Sequence, residues 1–229
     1  FYEEKTKCLH SRLNSDYSKV MYFSLNRNWE ILGNPAQHNP FMTPNQKETV
    51  YYLPGYGGQL STGLGIALMN RGLDVTGRET RDDFRILSFG EQIQIIADDL
   101  KAHFWHERAR VICNSFGSYL FLHAQTQIPA FPGRVLLLSP IVGEFTNEKS
   151  RTSFSPPRPT RLKELAETGK FPVPARCEIH VGQDDWQSIP ANVLAFGQLT
   201  NIPVTVVPKG GHSLEKAYVG PLLDHWLVN

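Results

Sequence analysis

The chain has 229 residues, with 23 basic and 22 acidic side chains and a formal net charge of +1; one core could bury roughly 70% of the unfolded surface of such a chain. That near-balance leaves no field to steer it toward nucleic acid or anionic lipid, and no charge block reads as a tail. Apolar residues make up 41%, too many for disorder, and the longest apolar runs, such as Val135 to Leu138, fall far short of the roughly 20 residues a membrane helix needs.

Cysteines are sparse and odd in number: Cys8, Cys113 and Cys177. They are neither a disulfide framework nor a zinc pattern, so a reduced, cytoplasmic setting is the simplest expectation. No signal peptide is visible, and a leader ahead of Phe1 stays open.

Residues 1–48 carry a hairpin pattern: Lys19 to Leu25, a turn at Asn26-Arg27-Asn28, then Trp29 to Leu32. From about residue 49, strand and helix signals alternate. Thr49 to Leu53 is a β-rich run stopped by Pro54-Gly55. A helix over Ser61 to Arg71 follows, ended by Gly72, and Val75 marks a weaker strand. Ser88 and Glu91 form a capping box for a helix with Ile93, Ile96, Ala97, Leu100 and Phe104 on one stripe.

Arg110 to Cys113 is the next strand and Ser115 to Gln127 the next helix. Val135 to Leu138 reads as a central parallel strand covered on both faces. Cys177 to Val181 and Val204 to Val207 are strands flanking a helix over Ala191 to Leu199, and a final helix sets Leu222, Leu223, Trp226 and Leu227 on one face. This alternation predicts an α/β domain over residues 1–229, with a mostly parallel sheet and helices on both faces. Residues 144–175 interrupt it with five prolines and one short helix after Thr160, stopped by Gly169. An insert of this kind is often a lid or binding loop, and its Phe145, Phe154 and Phe171 could face a pocket. For Leu162 and Leu165, packing of the insert onto the sheet is the preferred reading.

The strongest local signal is Cys113-Asn114-Ser115-Phe116-Gly117, which ends a strand and opens a helix. That is the context of a nucleophile elbow, a turn so sharp that it wants small residues two positions either side of the serine. Gly117 satisfies this; Cys113 stands where glycine is commoner. The plainer reading is a serine capping an ordinary βα turn. Downstream, Gly182-Gln183-Asp184-Asp185 follows one predicted strand and Gly210-Gly211-His212-Ser213 another. A carboxylate in the first loop could orient an imidazole in the second, although aspartate is also common in solvated turns.

Of eight histidines, only His212 lies in a glycine-rich loop at the C-terminal end of a strand. His180 falls within a strand, His103, His106, His123 and His225 on predicted helices, and His10 and His38 in the N-terminal region; structural or surface roles suit these seven. Serine, aspartate and histidine loops then open at one sheet edge, where ligands bind in open α/β sheets, in the chain order expected of this apparatus.

Pro54-Gly55-Tyr56-Gly57-Gly58 could supply backbone N–H groups which, with that of Phe116, would bind an oxyanion; one such donor is typically worth about 3–4 kcal/mol. A dinucleotide motif fails here because Leu60 stands where glycine is required, and a P-loop fails at Leu64-Gly65. His103 and His106, three apart on one predicted helix face, lack further metal ligands. Cys113 should point under the following helix as an inert thiol.

In these features the chain resembles the α/β-hydrolase family, serine esterase branch, over about residues 49–229. It departs from the family pattern at Cys113 and in the shortness of its cap. The resemblance implies that Ser115 attacks an acyl carbonyl and His212 shuttles the proton. Asp185, three residues after Gly182, rather than Asp184, orients the imidazole; the Tyr56 and Phe116 N–H groups hold the oxyanion. Asn114, Phe145 and Phe154 are the substrate-pocket candidates. It implies a carboxylesterase acting on a small acyl ester, with no metal or organic cofactor and no nucleic-acid or membrane partner. Thioester cleavage, peptide cleavage, acyl transfer and an inactive binding module on the same fold stay open, as does the oligomeric state.

Overall fold

The computed structural model describes residues 48–147 and 152–228; the hairpin expected over residues 19–32 lies outside them. In chain order the elements are β1 (Thr49–Leu53), α1 (Leu64–Met69), β2 (Asp74–Gly77), α2 (Asp82–Ile86), α3 (Phe89–His103), β3 (Arg110–Asn114), α4 (Phe116–Gln125) and β4 (Arg134–Leu138). There follow β5 (Phe145–Asn147), β6 (Thr152–Phe154), α5 (Arg161–Glu167), β7 (Arg176–Gly182), α6 (Pro190–Thr200), β8 (Val204–Val207) and α7 (Lys216–Val228). Among these residues, no helix is long and apolar enough to cross a membrane.

Six strands form one sheet in the order β2-β1-β3-β4-β7-β8, every neighbouring pair parallel. Side chains alternate across a strand, and the alternation sorts the core into two layers. Tyr51, Leu53, Val111, Cys113, Val135, Leu137, Ile179 and Val181 pack with residues of α3, α4, α5 and α6. Their neighbours Val50, Tyr52, Ile112, Leu136 and Leu138 pack with Leu68 of α1 and Leu223 and Trp226 of α7. Apolar residues on both phases of each central strand are what two helical layers require. Each large aliphatic side chain buried in this way contributes about 1.5–3 kcal/mol.

Ser88 and Glu91 make the capping box reciprocally at the start of α3, and Ile93, Ile96, Ala97 and Leu100 are fully buried. The helix nevertheless stops at His103, because Phe104 leaves helical geometry at φ −126° and packs edge-on against Tyr51 at 5.2 Å. His106 therefore lies beyond the helix, and the expected shared face with His103 does not form. The helix expected over Ser61 to Arg71 is shorter, opening only at Leu64 because Gly63 sits at φ 52°.

The insert between β4 and β7 holds an antiparallel hairpin, β5 with β6, in which Phe145 pairs with Phe154. Leu162 and Leu165 are buried in the core. Phe171, expected as a possible pocket residue, instead packs edge-on against Phe196 of α6 at 5.3 Å.

Candidate active site

β1 connects to β2 on one side of itself, and the chain then crosses to place β3 on the other. The strand order reverses between β1 and β3, and a crevice opens at such a point beyond the strand C-termini. The loop after β1 holds Gly55–Gly58, and the residue after β3 is Ser115.

Ser115 sits at φ 51°, ψ −117°. A non-glycine residue held in such a sparsely populated region costs about 1–3 kcal/mol. The surroundings impose it. The Ser115 N–H continues the β3–β4 ladder by donating to Leu138 O at 2.9 Å, while its own carbonyl already accepts from Ser118 N at 3.1 Å in the first turn of α4. Gly117 makes the tight reversal possible: a Cβ there would lie 2.3 Å from Leu53 O and 2.4 Å from Pro54 O. Cys113, on the other side of the elbow, is fully buried in the core, and burial pushes its thiol well up.

Ser115 Oγ lies 2.7 Å from His212 Nε2, and His212 Nδ1 lies 3.0 Å from both carboxylate oxygens of Asp185. A carboxylate only accepts, so the proton of a neutral imidazole belongs on Nδ1 and Nε2 is free to accept from the hydroxyl. The Asp185 side chain is completely buried, that of His212 17% exposed. Asp185 Oδ1 also accepts the N–H groups of Gln187 and Ser188, each at 2.9 Å. Asp184 is exposed, its N–H donating to Gly210 O. The two glycine-bearing loops meet in backbone contact: a Cβ on Gly182 would lie 2.3 Å from Gly210 O and 2.4 Å from Gly211 O. That close approach brings His212 within reach of Asp185.

The β1 loop lies against the serine, with the Cβ position of Gly55 3.3 Å from Ser115 Cβ. Within the loop, Gly57 N–H donates to Thr80 O and Gly58 N–H to Gly55 O and Thr80 Oγ1. The Tyr56 N–H has no acceptor among the described residues. The Phe116 N–H belongs to the first turn of α4, where a helix supplies no acceptor of its own. Among the described residues, neither candidate oxyanion donor is committed to another acceptor. Thr80, 2% exposed, braces the loop from the end of β2, its hydroxyl donating to Gly55 O and its N–H to Gly58 O.

Phe145 and Phe154 meet at 5.2 Å with their rings tilted, Phe154 meets the Phe116 ring at 6.4 Å, and Phe116 meets Tyr56 at 5.7 Å. This places the two insert phenylalanines in one aromatic series with the elbow. Asn114 is half-buried at the end of β3, its Nδ2 3.5 Å from the Gly55 Cβ position. Three residues here escaped the sequence reading. Trp186 is 40% exposed and extends the aromatic series through Phe145 at 5.6 Å; adjacency to Asp185 was its only signal. Thr80 and Ser188 act through hydrogen bonds whose partners lie far away in sequence, Ser188 Oγ donating to Ser139 O.

No family model and no curated protein matches the chain. Solved structures do match its fold. The ydeN gene product from B. subtilis aligns at TM-score 0.57 and 14% identity over 80% of this chain and 100% of that one. MGS-MChE2, an alpha/beta hydrolase enzyme from the sediment metagenome of the lagoon of Mar Chica, aligns at TM-score 0.57 and 18% identity over 80% and 91%. Alpha/beta hydrolase domain-containing protein 10 from mouse aligns at TM-score 0.57 and 14% identity over 81% and 92%. With its parallel six-stranded sheet covered by helices on both faces, and its strand-to-helix elbow at Ser115, this chain has the α/β-hydrolase fold.

Proposed function

We propose that the protein is a serine hydrolase that cleaves carboxylic esters through an acyl-enzyme. The observation that carries this reading is the unbroken series Ser115 Oγ–His212 Nε2–His212 Nδ1–Asp185, with contacts of 2.7 and 3.0 Å, built on a strained serine at the sheet's switch point. Ser115 Oγ attacks the acyl carbonyl and forms the C–O bond while its proton passes to His212 Nε2. Asp185 holds the tautomer and stabilises the imidazolium. The Tyr56 and Phe116 N–H groups take the negative charge that develops on the carbonyl oxygen. His212 then protonates the departing alcohol, and water, deprotonated by the same imidazole, releases the acid.

A panel of p-nitrophenyl esters of rising acyl length tests the reading. Saturable release of nitrophenolate, lost on Ser115→Ala, is the expected result. Thioester or amide substrates turned over in preference to every ester would move the assignment to another acyl-transfer class, and no turnover of any of them would favour a binding module.

A further inference from the structure

The Phe116 ring joins two aromatic arms. One passes to Tyr56 at 5.7 Å, and the Arg85 guanidinium lies over that ring at 5.9 Å. The other passes to Tyr119 at 6.1 Å and on to Phe89 at 5.7 Å, and Arg158 covers that ring at 5.8 Å. The first arm crosses the surface through Tyr56, 65% exposed, to Arg85, whereas the second passes through the fully buried Tyr119 ring before it reaches Phe89 and Arg158.

The arginines reach the same corner of the molecule. Arg85 lies in α2, which is tied to the start of α3 by Gln92 Nε2 donating to Phe84 O at 2.8 Å, and Phe89 is the first residue of α3. Arg158 is held there at φ 60°, because the Tyr119 hydroxyl donates to Pro157 O at 2.7 Å. Its charge is felt by Tyr119 and His123.

Neither guanidinium has a carboxylate within ion-pair range among the described residues. Three acids of the same segments are engaged elsewhere: Asp82 with Arg81, Glu91 in the α3 capping box and Glu144 with Ser155. Two guanidiniums with no ion-pair partner among the described residues, each lying over an aromatic ring, suit an apolar ligand that ends in an anion, because arginine binds carboxylates in a planar, two-pronged fashion.

We infer that Arg85 and Arg158 are specificity residues that select esters carrying a carboxylate remote from the scissile bond. This rests on the proposed role of Ser115. Two ester pairs test it. p-Nitrophenyl hexanoate against the p-nitrophenyl monoester of adipic acid places the anion on the acid side. Phenyl hexanoate against 4-carboxyphenyl hexanoate places it on the alcohol side.

The readout is the ratio of kcat/KM for the anionic over the neutral member, in the wild type, Arg85→Gln, Arg158→Gln and the double variant, which cancels intrinsic ester reactivity. Exposed ion pairs of this kind suggest that the ratio falls about threefold for each substitution and about tenfold for both, in one of the two pairs. The drop should shrink in high salt. The pair that responds identifies which end of the substrate bears the charge. Equal ratios in wild type and double variant for both pairs would overturn the inference. Should no ester be turned over, the reading of Ser115 falls separately. Calorimetric binding of adipate against hexanoate then reads the anion site: tighter adipate binding in wild type than in the double variant supports it, and equal binding overturns it.

Discussion

His212 sits in the loop after β8 with both ring nitrogens engaged, one by Ser115 and one by Asp185. His123 lies on α4, eight residues beyond Ser115 and so roughly 12 Å along the same helix. It is fully buried between Tyr119, at 4.4 Å, and Phe89, at 5.0 Å, and neither ring nitrogen has a hydrogen-bond partner among the described residues. Burial, with the charges of Arg158 and Arg161 behind it, pushes its pKa down to about 3. The same imidazole is thus held between a hydroxyl and a carboxylate at the sheet edge and kept neutral in the core. What separates them is partners and access: a loop can bring three distant segments together, whereas a helix interior surrounds a side chain with its own apolar neighbours.

The largest expected effect comes from Ser115→Ala, which should lower ester turnover on the order of a millionfold. Among the described residues, His212 is the only side chain bonded to the serine hydroxyl, so the melting temperature should barely move. Near-normal activity in the folded variant would place the nucleophile elsewhere.

Asp185→Asn should cost on the order of 10⁴-fold in kcat, because an amide N–H facing Nδ1 forces the wrong tautomer. Asp184→Asn should stay within about twofold, as for an ordinary surface substitution. Initial rates of the two variants, measured side by side, check the contrast, and a larger loss at Asp184 would reverse it.

Thr80→Val removes the hydroxyl that bonds Gly55 O and Gly58 N and leaves the site's side chains intact. It should lower kcat about tenfold, less than deleting an oxyanion donor outright, with KM for a short ester nearly unchanged.

The smallest effect concerns His123 and stability. Its folded pKa lies below the ordinary value of 6.5, so the unfolded chain binds the proton that the folded one excludes. Stability is then full above about pH 6.5 and falls as pH drops toward about 3, by at most about 1.4 kcal/mol per pH unit. Denaturant melts from pH 7 to pH 5 should show this slope, and His123→Leu should flatten it. An unchanged slope in the variant would assign the acid sensitivity to carboxylates instead.

Much of this architecture is legible in the sequence because it is local. The alternation of Val50, Tyr52 with Tyr51, Leu53 encodes a strand covered on both faces, and Ser88 with Glu91 encodes a helix start. The elbow is legible because the end of β3, Ser115 and Gly117 fall within five consecutive residues, and Gly117 avoids a Cβ that would lie 2.3 Å from Leu53 O. The insert hairpin is not, since three-residue strands carry too little periodicity to register. Nor is five-residue α2, or the end of α3, where a tertiary contact of Phe104 with Tyr51 overrides helical spacing. Thr80, Ser188 and Trp186 stayed hidden for the same reason: their partners come from other strands, and no spacing rule connects them.

The comparison of the two histidines turns on Ser115 being the reactive group at the sheet edge. A fluorophosphonate, allowed to react with the folded wild type and with His212→Ala and mapped by peptide mass spectrometry, tests this most directly. The expected result is a single adduct on Ser115 in the wild type, formed far more slowly without His212. An adduct on a different residue, or equal labelling of Ser115 in both proteins, would contradict the account.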